Sequence, residues 1–69
     1  MLFTLEIERE TDGRWIAEIL DLPGVMVYGQ TREKAITLAK ALALRVLADK
    51  IEHGETLTDL VDISFVVAA

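Results

Sequence analysis

The side chains best suited to chemistry in this sequence are three glutamates on alternating positions. Glu6 and Glu8 belong to one alternating segment, and Glu18 belongs to the next. Because every second side chain of a strand points to the same side, we expect all three on one face of a sheet. Carboxylates bind hard cations such as Mg²⁺, so these three glutamates would be able to hold such an ion. Their spacing matches no fixed ligand pattern, and a solvated sheet face explains them more simply.

The sequence lacks the side chains that nucleophilic catalysis or phosphate binding would need. The chain has no cysteine and a single histidine, His53, and its one serine is Ser64. A Ser-His-acid arrangement needs its members within hydrogen-bond reach, whereas His53 beside Gly54 is typical of an exposed residue at a helix C-terminus. The glycines fit neither phosphate-binding pattern, GxGxxG or GxxxxGK[ST]. We therefore predict that the protein is not an enzyme and needs no metal or other cofactor.

Three short strands come first along the chain. Residues 2–9 alternate between apolar and polar side chains, which predicts a half-buried strand. Asp12-Gly13 closes a hairpin into a second strand over 14–20, and Asp21-Leu22-Pro23-Gly24 turns the chain into a third over 25–28. Glycine supplies positive φ and proline fixes φ at such turns. Consecutive strands joined in this way predict an antiparallel meander.

A long helix follows the meander. Thr31 is its predicted N-cap, and the helix runs to about His53, where Gly54 ends it. Its predicted core positions share the spacing of one helix face and are Ala35, Ala39, Leu42 and Val46, flanked by Ile36, Leu38, Ala43 and Leu47. A polar link over 55–59 then leads to a last strand over 60–69.

Two apolar features are left over by this arrangement. On the side of the helix away from its core positions lies an outer stripe, defined as Ala41, Leu44, Ala48 and Ile51. The last strand is also strongly apolar, so it must pair with the first strand, with another subunit or with both. Scattered exposed apolar residues are common, but we predict a partner or oligomer interface. Its residues are Ala41, Leu44, Ala48, Ile51, Phe65 and Val67.

Composition supports an associating protein. The 69 residues suffice for one small domain, 1–69, yet 52% of them are apolar and the mean hydropathy is +0.37. A domain of this size buries only about 60% of its unfolded surface. We therefore expect a homo-oligomer, a dimer or a tetramer.

Charge narrows the choice of partners. The net charge is −5 and the pI is about 4.6, which argues against direct binding of nucleic acid. An acidic domain suits a basic partner, although the same charge also serves solubility. No leader segment is visible, and no apolar run approaches the ~20 residues of a membrane helix. We expect a soluble cytoplasmic protein that does not contact membranes.

Three motifs follow one another along the chain, and the spacing of the last two is fairly specific when they occur together. They are Asp12-Gly13-Arg14-Trp15-Ile16-Ala17, Asp21-Leu22-Pro23-Gly24 and Gly29-Gln30-Thr31-Arg32-Glu33-Lys34-Ala35. This set resembles the N-terminal domain of HicB-family antitoxins, with its D-G-x-[YW]-x-A strand, D-L-P-G turn and G-x-[TS]-x-E-E-A helix start. The chain departs from that pattern at Lys34, where an acidic residue is common, and at Val25, where the family often has cysteine. The resemblance covers residues 1 to about 55.

The resemblance implies both a fold and a function. The fold is α+β, a reduced ribonuclease-H-like β-β-β-α-β arrangement in which an antiparallel three-stranded meander precedes one long helix and a C-terminal strand. The function is that of a stand-alone antitoxin domain that binds a small basic HicA-like ribonuclease and neutralises it sterically. Complete HicB antitoxins carry a DNA-binding segment after this domain. None follows residue 69, so operator binding is not expected here.

Three functional hypotheses remain open from the sequence. In the antitoxin hypothesis, the outer stripe and exposed acidic residues such as Glu33 and Glu52 would contact the toxin. In the second, the chain is an orphan self-assembling interaction module of the same fold with no toxin partner. In the third, it is a degenerate nuclease whose metal-dependent activity depends on acidic residues, namely Glu6, Glu8, Glu18 or Asp21.

Overall fold

The alternating segments form strands in the order expected from the sequence. The computed structural model describes residues 1–54 and 62–68. Its elements are β1 (Leu2–Arg9), β2 (Trp15–Ile19), β3 (Met26–Gly29), α1 (Arg32–Glu52) and β4 (Ser64–Ala68). The α+β class and the β-β-β-α-β order are therefore confirmed.

The four strands form one mixed sheet in the order β3-β2-β1-β4. The pairs β1/β2 and β2/β3 are antiparallel, which confirms the meander. The last strand, β4, lies parallel to β1 on its other side, and a parallel pairing of this kind requires a crossover connection, which includes α1.

The last strand starts later than predicted. It begins at Ser64 rather than at residue 60, and Asp62 and Ile63 precede it without strand structure. Ser64 is the partner of Leu2, where β1 begins, and its N–H donates to the Met1 carbonyl oxygen at 2.8 Å. The start of β4 therefore coincides with the start of its partner strand β1. The predicted strand residues 60, 61 and 69 lie outside the described residues.

Glycine shapes the hairpin between β1 and β2. Gly13 has φ of +91°, and its N–H donates to the Glu10 carbonyl oxygen at 3.0 Å. The Glu10 N–H in turn donates to the Arg14 carbonyl oxygen at 2.7 Å. A left-handed residue is therefore built into the turn, as the Asp-Gly pair predicts.

Gly13→Val is expected to destabilise the protein by about 1–2 kcal/mol, because a β-branched side chain resists positive φ. Urea unfolding measures this as a lower midpoint. Gly13→Asn is the matched control, since asparagine tolerates left-handed φ better than valine. An unchanged midpoint for Gly13→Val would refute the hairpin turn described here.

Both ends of the helix are capped by the predicted residues. The Thr31 hydroxyl oxygen accepts the Lys34 N–H at 3.0 Å, and His53 and Gly54, with φ of +80°, end the helix. These contacts satisfy backbone groups that a helix terminus leaves without partners. Among the described residues, no helix combines the length and apolarity needed to cross a bilayer.

The core lies between the sheet and α1. Its buried residues are Phe3, Leu5, Ala17, Ile19, Leu22, Val25, Ala35, Ala39, Ala43 and Leu47. The predicted helix stripe was partly wrong, because Ala43 and Leu47 are buried while Leu42 and Val46 are only half-buried. A row of residues four apart runs obliquely around a helix, and the sheet packs along that row rather than straight down the axis. Three alanines in the row let the helix approach the sheet closely.

Candidate functional site

The helix covers one face of the sheet, and within residues 1–54 and 62–68 no element covers the other face. Side chains alternate along each strand, so Leu2, Thr4, Glu6 and Glu8 of β1 point to the uncovered side. Their partners in register on β2 and β4 point the same way, and so do the β3 residues that pair with those β2 partners. We call this side the open face. It consists of Leu2, Thr4, Glu6, Glu8, Ile16, Glu18, Met26, Tyr28, Ser64, Val66 and Ala68.

Carboxylates occupy the centre of the open face. Glu6 and Glu18 are direct cross-strand partners, and Glu8 lies opposite Ile16. Like charges placed directly opposite each other repel, so this pairing costs the isolated fold some stability. The three predicted glutamates therefore share one face, where they line a shallow depression with Ile7, Glu10 and Ala68.

The same carboxylates do not form a recognisable metal centre. Within residues 1–54 and 62–68, no three acidic or histidine side chains are placed to hold a metal ion together. Asp21 is exposed and follows the end of β2. The geometry therefore gives the nuclease hypothesis no specific support.

Exposed apolar side chains surround the carboxylates. Leu2 and Leu20 are each 63% exposed, and Met26 is 50% exposed. Leu20 continues the alternation of β2 just beyond its last residue, since Ile19 before it is buried. Tyr28 and Val66 complete this apolar rim on the two edge strands. Exposed apolar side chains gathered on an uncovered face are typical of an interaction surface.

One cation lies at the end of the open face nearest the hairpin. The Arg14 guanidinium stacks over the Tyr28 ring at 4.4 Å, and its Nε donates to Asp12 Oδ2 at 2.8 Å. The Arg14 backbone N–H also donates to the Asp12 carboxylate, at 3.1 Å. This backbone hydrogen bond, helped by the guanidinium, holds the pKa of Asp12 below its ordinary value. Arg14 is thus already engaged by an anion and an aromatic ring.

The predicted interface residues lie on two different elements. In the outer stripe of α1, Leu44 is 49% exposed, Ile51 is 46% exposed, Ala48 is exposed and Ala41 is half-buried. Phe65 is half-buried on β4, with its ring centroid 6.0 Å from that of Phe3. Part of the Phe65 surface therefore belongs to the protein's own core.

Val67 is the other predicted interface residue on β4. It is half-buried and lies opposite Leu5 of β1. Because Leu5 belongs to the core, Val67 points to the helix side of the sheet and not to the open face.

Sequence reasoning missed the apolar rim of the open face. Ile16 and Leu20 stand at the polar positions of the second strand's alternation, and this irregularity is the signal that could have identified the rim. Met26 and Val66 carry no comparable signal, because their side of the sheet depends on strand register.

No protein-family model, curated protein or solved structure matches this chain. The resemblance to HicB antitoxins therefore depends on the three sequence motifs alone.

Proposed function

We propose that this chain is a HicB-like antitoxin domain with a reduced ribonuclease-H-like fold, which binds a HicA-like ribonuclease and blocks it sterically. The observation that carries the proposal is the placement of the three motifs in one β-β-β-α-β unit. Asp12-Gly13 forms the first hairpin, Asp21–Gly24 forms the next reversal, and Thr31 caps the helix. Each motif thus has a structural role that its residue types explain.

Electrostatics also supports this proposal. The chain carries a net charge of −5, and a small basic ribonuclease presents the opposite charge. Complementary potentials speed encounter and disfavour wrong partners. Steric occlusion needs a surface and no catalytic group, so an acidic, partly apolar surface is sufficient. Such a toxin acts on cellular RNA, so the proposal implies an encounter in the cytoplasm.

The direct test is the solution mass of this chain mixed with a HicA-like toxin. Light scattering is expected to show a heteromeric complex at micromolar concentration, with a mass that contains both chains. An unrelated acidic domain of similar pI is the control for nonspecific charge attraction. If both proteins keep their separate masses, the antitoxin proposal fails.

The outer stripe favours a second candidate function. Leu44 and Ile51 are large, apolar and about half exposed on the helix, as expected of a subunit interface. In this alternative the chain is an orphan self-assembling module, a dimer or a tetramer, with no toxin partner. The same light-scattering experiment distinguishes the two, because this alternative predicts a self-associated species whose mass the toxin does not change.

A further inference from the structure

We propose that the basic partner docks on the open face of the sheet and not on the outer stripe of α1. This inference rests on the proposed function and deepens it by assigning the binding surface. The occupant is a basic protein surface whose lysine or arginine side chains are surrounded by apolar ones. Two features of the domain favour this surface, namely the difference in charge between its two sides and the arrangement of side chains on the open face.

The two sides of the domain differ in charge. The helix α1 carries five Lys or Arg and three Asp or Glu residues, so it is net basic. Residues 1–29, which include β1 to β3, carry two arginines and six acidic residues. A basic partner is therefore attracted to the sheet side and repelled by the helix side. This asymmetry separates the open face from the outer stripe, although both expose apolar side chains.

The arrangement of the open face suits a cation at its centre. Glu6 and Glu18 lie side by side across β1 and β2, with Met26 beyond Glu18 and Ala68 beyond Glu6. A lysine or arginine inserted between the carboxylates would relieve their mutual repulsion. The apolar rim would exclude water around the ion pair, which strengthens its attraction.

A second copy of the chain fits this face poorly. In a two-fold dimer through the open face, the same patch meets itself, so carboxylates would oppose carboxylates. Arg14 offsets this repulsion only in part, because its charge is already shared with Asp12, whose Oδ2 lies 2.8 Å from its Nε. Stacking the open face of one copy on the helix of the next would bring opposite charges together. Because these two surfaces lie on opposite sides of the domain, such contacts would extend into an open filament and would not close into a dimer.

The test compares two double variants that each remove two negative charges. Glu6→Gln/Glu18→Gln acts at the centre of the open face, and Glu33→Gln/Glu52→Gln acts on the helix. Calorimetric titration with a HicA-like toxin is expected to show affinity reduced roughly tenfold by the first and less than about threefold by the second. Urea midpoints of both variants check that the fold is intact.

The outcomes separate this inference from the proposed function. If the toxin binds the parent and both double variants equally well, the docking surface is wrong while the antitoxin proposal stands. A larger loss for the helix variant has the same meaning and assigns the outer stripe instead. Self-association of the parent that Glu6→Gln/Glu18→Gln abolishes would identify a second copy as the occupant, against the inference. If the parent does not bind the toxin, both proposals fail.

Discussion

Gly29→Ala is expected to destabilise the protein by about 2–3 kcal/mol, a large share of the stability of a domain this small. A Cβ atom at position 29 would lie 2.5 Å from the Ala35 backbone nitrogen and 2.8 Å from the Ala35 Cα. Both distances are shorter than van der Waals contact, and backbone atoms cannot rotate away. The start of α1 must therefore move off β3, which loosens the packing of Ala35 and Ala39. Urea unfolding measures the change as a lower midpoint.

A second substitution sharpens this test. Adding Ala35→Gly to Gly29→Ala removes the Ala35 Cβ, at 3.1 Å, but leaves the two nearer backbone atoms in place. The double variant is therefore expected to be no more stable than Gly29→Ala alone. Recovery of the parent midpoint would mean that a side-chain contact limits the space at Gly29. A parent-like midpoint for Gly29→Ala itself would contradict the close approach of strand and helix.

Leu5→Ala is expected to destabilise the protein by about 3 kcal/mol or more, because it leaves a cavity between sheet and helix. Leu5 is fully buried at the centre of β1, the strand that pairs with both β2 and β4. In a domain of this size such a loss populates the unfolded state. Loss of the thermal unfolding transition, or a large fall in its midpoint, measures the effect.

The same strand supplies the matched control. Leu2→Ala removes identical atoms from a side chain that is 63% exposed, and its effect is expected to stay within about 0.5 kcal/mol. The difference between the two losses of stability therefore shows that one face of the sheet is covered and the other is open. Equal effects would contradict the assignment of a covered face and an open face.

Local signals made most of the secondary structure predictable from the sequence. Asp12-Gly13, Thr31 and Gly54 each act through the backbone of their own neighbourhood, and the structure has a turn or a helix end at each. It was harder to predict which residues of the helix are buried, because this depends on the angle at which α1 crosses the sheet. For that reason Leu47 is buried and Val46 is not.

Long-range pairing explains what the sequence left open. The last strand could pair with β1 or with another subunit, and only the tertiary arrangement decides between them. Gly29 is a different case, because Ala35 is close to it in sequence. The motif places Gly29 at the start of the helix, but its close approach to the Ala35 backbone depends on the angle at which α1 leaves β3. The outer stripe was visible from helical spacing, whereas the open face emerged only when four strands were placed in register.

The most direct test of the antitoxin proposal is RNA cleavage by a HicA-like toxin titrated with this chain. We predict that cleavage falls to background near an equimolar ratio, and that Glu6→Gln/Glu18→Gln requires a clear excess to reach the same inhibition. Undiminished cleavage at a large excess of folded parent protein would contradict the proposal that this chain neutralises such a toxin.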